Sequence, residues 1–201
     1  LTLPVGEAAF DELPSSAAWR HGGGRDGLEV VFIRADGSGH RFDGHAVAIE
    51  DGQVWTVRYS ILVDENWATR SARAWSWSVD GERETSLEAD GSGHWWLAGL
   101  PVPGLDGCFD VDFESSACTN TFPVHRLGLR RGEAAQAPAA YVRAPDLRVE
   151  RLDQQYVRVD DDGPRHQYDY AAPRFDFGCR LLYDPSGLVI DYPGIATRLR
   201  L

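Results

Sequence analysis

Asp-Gly occurs eight times in this chain, beginning at Asp26, Asp36, Asp43, Asp51, Asp80, Asp90, Asp106 and Asp162. The dipeptide supplies the positive φ angles that a tight hairpin turn demands. The segments between are short and rich in Val, Ile, Thr, Trp and Tyr. Strand signals at this spacing predict a mainly β chain arranged as a sandwich, barrel or roll. Residues 28–33 read as one strand. Residues 54–63 read as another, with Trp55, Val57, Tyr59, Ile61 and Val63 on one face. Residues 69–79 alternate small and large side chains, with Trp75 and Trp77 aligned.

Helix signals are few. Residues 115–120 predict a short helix capped by Ser115. Pro123 then disfavours helix at Phe122. The Ala-, Gln- and Pro-rich stretch 132–140 reads as a loop. No linker divides the chain, so residues 1–201 are expected to form one domain. The run Ala35-Asp36-Gly37-Ser38-Gly39-His40 returns as Ala89-Asp90-Gly91-Ser92-Gly93-His94. Shared turn chemistry explains this echo. The other reading is a two-fold pseudo-repeat, roughly 19–115 and 116–201.

The segment Gly107-Cys108-Phe109-Asp110-Val111-Asp112-Phe113-Glu114 is the first place to look for chemistry. As a strand it puts Phe109, Val111 and Phe113 on one face and Asp110, Asp112 and Glu114 on the other. Buried unpaired carboxylates are costly, so partners are expected just downstream, in Asn120, Thr121, His125 and Arg126. Three readings are open: a solvated outer face, an acidic pocket for hydroxyl-rich or cationic groups, and a metal site. The last lacks the further oxygen ligands and wrapping loop that a hard cation needs. Two other groups stand out. Tyr156 with Arg158, and Tyr168 with Tyr170, flank the Asp162-Gly163 turn. Such tyrosine pairs offer apolar bodies with polar tips, or ordinary cross-strand packing. Tyr59, Asp64, Glu65, Trp67 and Arg70 gather at a strand junction. There Arg70 is expected to pair either with the acidic strand or in a plain salt bridge.

Composition removes several classes. The net charge of −11 argues against nucleic acid and against anionic lipid surfaces. All 20 basic side chains are arginine, so lysine-nucleophile and Schiff-base chemistry are excluded. Three cysteines without a CxxC pair suggest neither a disulfide framework nor zinc. The six histidines do not fall at metal-ligand spacing, and His40 and His94, after turn glycines, are expected to be exposed. No catalytic elbow, P-loop, HExxH or dinucleotide fingerprint is present, and no cofactor or metal is expected. Residues 1–13 lack a leader pattern and no apolar run is long enough to span a membrane, so cytoplasmic residence is the default expectation.

The run 99–129 resembles the bacterial "Putative glycolipid-binding" family through Gly107-Cys108-x-Asp110-x-Asp112 and Thr119-Asn120-Thr121-x-Pro123-x-x-Arg126-Leu127. The likeness extends upstream through Trp19-Arg20, Gly27-Leu28-Glu29, Tyr59-x-x-x-x-Asp64 and Trp67-x-Thr69-Arg70. Downstream it takes in Leu152-x-Gln154-x-Tyr156, Tyr168-x-Tyr170, Phe175 and the segment from Gly187 to Gly194. The sequence departs from the family pattern at Ser116, Phe122 and His125, where proline, leucine and arginine are expected. The resemblance implies a many-stranded antiparallel sheet curled into a β-roll or half-open barrel around one short helix. It also implies a homodimer and a shape similar to the lipoprotein localisation factors. It implies an acidic pocket at Asp110 and Asp112, with Arg126, Tyr156 and Tyr168 beside them. With Asn120, Arg70 and Tyr59 from the readings above, these eight residues form the expected site for a small amphipathic ligand, a glycolipid or sugar. The alternative is a carboxylate-dependent enzyme acting on carbohydrate. Inverting glycoside hydrolysis needs two carboxyls about 6.5–9.5 Å apart, and an isomerase could use Asp110 and Tyr168.

Overall fold

The computed structural model describes residues 10–200. Residues 1–9, most of the stretch read for a leader, and residue 201 lie outside the described residues. Strand accounts for 56% and helix for 8%, in one large antiparallel sheet that is not closed into a barrel.

Consecutive hairpins join β1 (Ser16–His21), β2 (Arg25–Asp36), β3 (Gly39–Glu50), β4 (Gln53–Val63), β5 (Thr69–Ser78) and β6 (Gly81–Ala89). Two short strands, β7 (Trp95–Leu97) and β8 (Leu100–Pro101), extend this arm. The chain then passes through β9 (Asp110–Phe113) and the helix α1 (Thr121–Leu127). It continues through β10 (Ala134–Gln136), β11 (Ala139–Val142), β12 (Val149–Leu152) and β13 (Gln155–Arg158). Last come β14 (His166–Ala172), β15 (Phe177–Tyr183), β16 (Val189–Tyr192) and β17 (Ala196–Arg198).

Fourteen strands form one sheet in the order β10-β13-β14-β15-β16-β17-β1-β2-β3-β4-β5-β6-β7-β8. The two arms meet where β17 pairs with β1, Trp19 facing Arg198. A smaller sheet, β12-β11-β9, joins β9 to β11 in parallel. This small sheet and α1 fill the roll. Thr69 of β5 bonds to Phe109 and Val111, Phe113 stacks on Tyr59 of β4, and Phe122 of α1 packs edge-on against Phe42 of β3.

The period-two reading of β4 holds: Trp55, Val57, Tyr59, Ile61 and Val63 are all buried. In β5 the alternation is as read, but Ala72, Ala74 and Ser76 face inward and Trp77 is exposed. The inner face there is small because β9 lies close against it. The expected helix moves. A short 3-10 turn, Cys118–Asn120, leads into α1, and Ser115 makes no cap. Pro123 sits in the first turn of α1, where its missing N–H costs nothing. The expected loop at 132–140 contains β10 and the start of β11.

Asp36-Gly37, Asp51-Gly52 and Asp80-Gly81 lie at the hairpin connections. Asp26-Gly27 and Asp43-Gly44 instead lie inside β2 and β3. Gly44 is there for space, since a Cβ would sit 2.0 Å from Cζ of Tyr59. Gly44→Ala should therefore lower stability by about 1–3 kcal/mol, read as a drop in the urea midpoint at unchanged slope.

Candidate functional site

β9 carries its acidic stripe inside the roll. Asp110 is 2% exposed and Asp112 8%, while Val111 and Phe113 are buried on the opposite face. Both faces of this strand are therefore enclosed, and each carboxylate meets a different set of partners.

Asp110 is taken up by Arg126 of α1. The guanidinium donates Nε–H at 2.9 Å and Nη2–H at 2.6 Å, and its Cζ lies 5.1 Å from the centroid of the Phe109 ring. Burial raises the Asp110 carboxyl, and the two arginine bonds oppose that rise. Asp112 has no cationic partner among the described residues. It accepts hydrogen bonds from the Thr119 hydroxyl at 2.7 Å and from the Gln154 amide at 2.6 Å. Burial pushes its pKa up to about 6, and the charges of Asp110 and Glu114 add to the effect.

Asp112 lines a cavity of about 310 Å³ between the two arms. Glu114, Glu50 and Arg25 line it too, with Tyr141, Tyr170, Phe175, Phe177 and Tyr192 as aromatic wall. Arg25 bonds both oxygens of Glu50 and lies 3.7 Å from Glu114. Tyr170, Phe177 and Tyr192 pack against one another with centroids 5.8–6.3 Å apart, and Tyr141 lies 5.7 Å from Phe175.

The eight expected site residues do not share one cavity. Asp112 and Asn120 line this one. Asn120 also accepts the Tyr156 hydroxyl through Oδ1 at 2.9 Å and the Tyr183 hydroxyl through its carbonyl at 3.1 Å. Tyr156 is fully buried, part of a tyrosine plug across the roll. Tyr168 lines a second cavity of about 530 Å³ at the other end of α1, with His40, Trp67, His125, Arg158 and His166. His40 is half-buried there, stacked on Trp67 rather than exposed. Arg70 pairs with Asp64 at 3.5 Å instead of reaching the acidic strand. Tyr59 is buried beneath β3.

The role of Tyr59 exposes a residue that spacing did not single out. Glu29 on β2 is fully buried and accepts hydrogen bonds from the Tyr59 hydroxyl at 2.5 Å, the Ser116 hydroxyl and the Ala117 N–H at 2.8 Å. Its place in phase with Val31 and Ile33 was the available signal. Of the departures from the expected pattern, Ser116 and Phe122 are buried, on Glu29 and on Phe42, and His125 is half-buried, stacked 3.7 Å from Trp67. Among the described residues no group of three or more His, Cys, Asp and Glu side chains could hold a metal ion.

A family model described as "Putative glycolipid-binding" matches residues 16–198. The chain belongs to this family. A DUF1089 family protein from Pseudomonas aeruginosa has a crystal structure similar to this one, with a TM-score of 0.73 at 32% identity, covering 98% of this chain and 100% of that one. A β-barrel-like protein of domain of unknown function DUF1849 from Brucella abortus shares the fold, at TM-score 0.55 and 13% identity over 94% and 96% of the two chains. No curated protein matches the chain. No helix among the described residues is long and apolar enough to cross a membrane.

Two stability predictions follow from these contacts. Arg126→Met leaves the Asp110 charge buried and unpaired, which should cost about 3–5 kcal/mol in urea unfolding, and adding Asp110→Leu should recover part of that loss. Burial raises Glu29 from 4.5 in the unfolded chain to about 7. The folded state then holds the extra proton, so the stability contributed by Glu29 is present below pH 4.5 and is lost as pH rises to about 7. His125, lowered by burial to about 3, works in the opposite direction below its unfolded value of 6.5. Comparing wild type with Glu29→Gln isolates the carboxyl: between pH 4.5 and 7.5 the wild-type urea midpoint should lose ground relative to the variant.

Proposed function

We propose that this protein binds a small amphipathic ligand of the glycolipid or sugar type in the cavity floored by Asp112. The observation that carries the reading is that one buried carboxylate, without a cationic partner among the described residues, meets an aromatic wall inside an accessible hollow. Ring faces of Tyr170, Phe177 and Tyr192 suit the apolar side of a sugar or the start of an acyl chain, and the carboxylates accept hydrogen bonds from hydroxyls. The cavity is at the small end of the range for ligand sites, so it suits a head group with its tail directed outward. Membership of the family and the described character of that family support the same reading.

The glycosidase alternative asks for two carboxyls flanking a bond. Here Asp110 and Asp112 leave the same face of one strand and Asp110 is engaged by Arg126, which favours binding over hydrolysis. Asp112→Asn should leave the far-UV spectrum intact and abolish ligand-dependent thermal stabilisation. Native mass spectrometry of gently purified protein should show a bound lipid or sugar. An unmodified mass, with no thermal shift from any glycolipid, would count against the reading.

A homodimer fits the outer face of the sheet. Leu28, Val47, Thr56 and Trp77 stand side by side across β2 to β5, bordered by exposed Val30, Phe32, Ile49 and Val54. Such a contiguous apolar surface marks an interaction site. Light scattering at micromolar concentration should give twice the chain mass, and Phe32→Glu combined with Trp77→Glu should halve it.

A further inference from the structure

The charges around the Asp112 cavity do not balance. Glu50 and Glu114 share Arg25, and Glu114 has a second guanidinium, Arg143, at 3.5 Å. Among the described residues Asp112 has only neutral partners, Thr119 and Gln154, and no arginine or histidine pairs with it. Asp110, one position round the same face, already spends its charge on Arg126. Three carboxylates thus line the cavity against one guanidinium, that of Arg25, and Arg143, which reaches Glu114 from outside it, is shared with Glu150.

Its walls add a second, independent requirement. Tyr170, Phe177 and Tyr192 form a triangle of rings, and the Tyr141 and Phe175 pair lines the same cavity. Ring faces carry negative quadrupole density, and a cation seated within about 6 Å of several of them is attracted to all. A neutral sugar would satisfy the rings and the hydrogen bonds but leave the Asp112 charge uncompensated in a desolvated place. An anionic head group would be repelled by Asp112 and Glu114. A positively charged ammonium satisfies both the rings and the carboxylate.

We infer that the head group entering this cavity carries a cationic ammonium, with Asp112 as its counter-ion and the rings of Tyr170, Phe177 and Tyr192 around it. This rests on the binding reading above and narrows it from sugars in general to amine-bearing head groups. An amino sugar and a trimethylated amine present the same charge, and the choice of probes separates them.

Three octyl amphiphiles, each below its micellar concentration, serve as probes at pH 7: octyl glucoside, octyl 2-amino-2-deoxyglucoside and octyltrimethylammonium. Isothermal titration should show the aminoglucoside binding roughly tenfold or more tighter than the glucoside. Asp112→Asn should collapse that ratio towards one, with the fold checked by circular dichroism. Phe177→Leu, which keeps the charge, should reduce the ratio several-fold and decides the matter if Asp112→Asn fails to fold. Trimethylammonium binding as tightly as the aminoglucoside supports recognition of the charge alone. Weaker but Asp112-dependent trimethylammonium binding supports an amino sugar. Equal affinity for glucoside and aminoglucoside, or a ratio that survives both substitutions, overturns the cation inference and leaves ligand binding standing. If none of the three binds, the binding reading falls with it.

Discussion

The buried carboxylate of Glu29 is the tie on which the interior arrangement depends. It is held by two hydroxyls and a backbone N–H, from Tyr59, Ser116 and Ala117. Those donors come from β4 and from the turn after β9, so one side chain on β2 links the large sheet to the segment that fills it. The tie requires Gly44, because the Tyr59 ring occupies the space a side chain there would take. With residues 116 and 117 fixed, Thr119 falls against Asp112 and Asn120 against Tyr156 and Tyr183. A single buried acid thus sets the position of the groups that define the cavity floor.

Polar burial on this scale is tolerated because almost every member is matched. Asp110 has Arg126, Asp112 has Thr119 and Gln154, and Gln154 in turn donates to the Tyr170 hydroxyl at 3.0 Å. The network runs through the middle of the roll and separates its two hollows. One is rimmed by carboxylates and phenyl rings, the other by imidazoles and the buried Arg158. The same polypeptide segment, β9 through α1, supplies walls to both.

How much of this was legible depended on whether the information was local. Strand periodicity in β4 and the acidic stripe of β9 are local, and both are visible as patterns of two. The small-side-inward choice in β5 is not, because it is set by how closely β9 approaches. Asp43-Gly44 carries a turn dipeptide, yet β3 runs straight through it, since the space needed by Tyr59 outweighs turn propensity. Pro123 discourages helix in general but not in a first turn. The cavity was the least legible part. Its acidic floor could be read from one strand, but the rings come from β11, β14, β15, β16 and the connection at Phe175. Sequence spacing has no way to bring those together. Glu29 was the readable omission, an acid in step with Val31 and Ile33.

The pairing of β1 with β17 has a consequence for how the molecule is built. Trp19 faces Arg198 across this seam, and its indole N–H donates to the carbonyl of Val189 at 2.8 Å. These contacts join residues 170 or more positions apart, so the loop they close is long. Long loops are entropically expensive to close, and contacts of this range slow the search for the native state. The two arms must therefore wait for one another during synthesis. The hairpins of β2 to β6 can zip locally as they emerge, but the continuous sheet, and the hollow that lies between its arms, arrives only with the final strand.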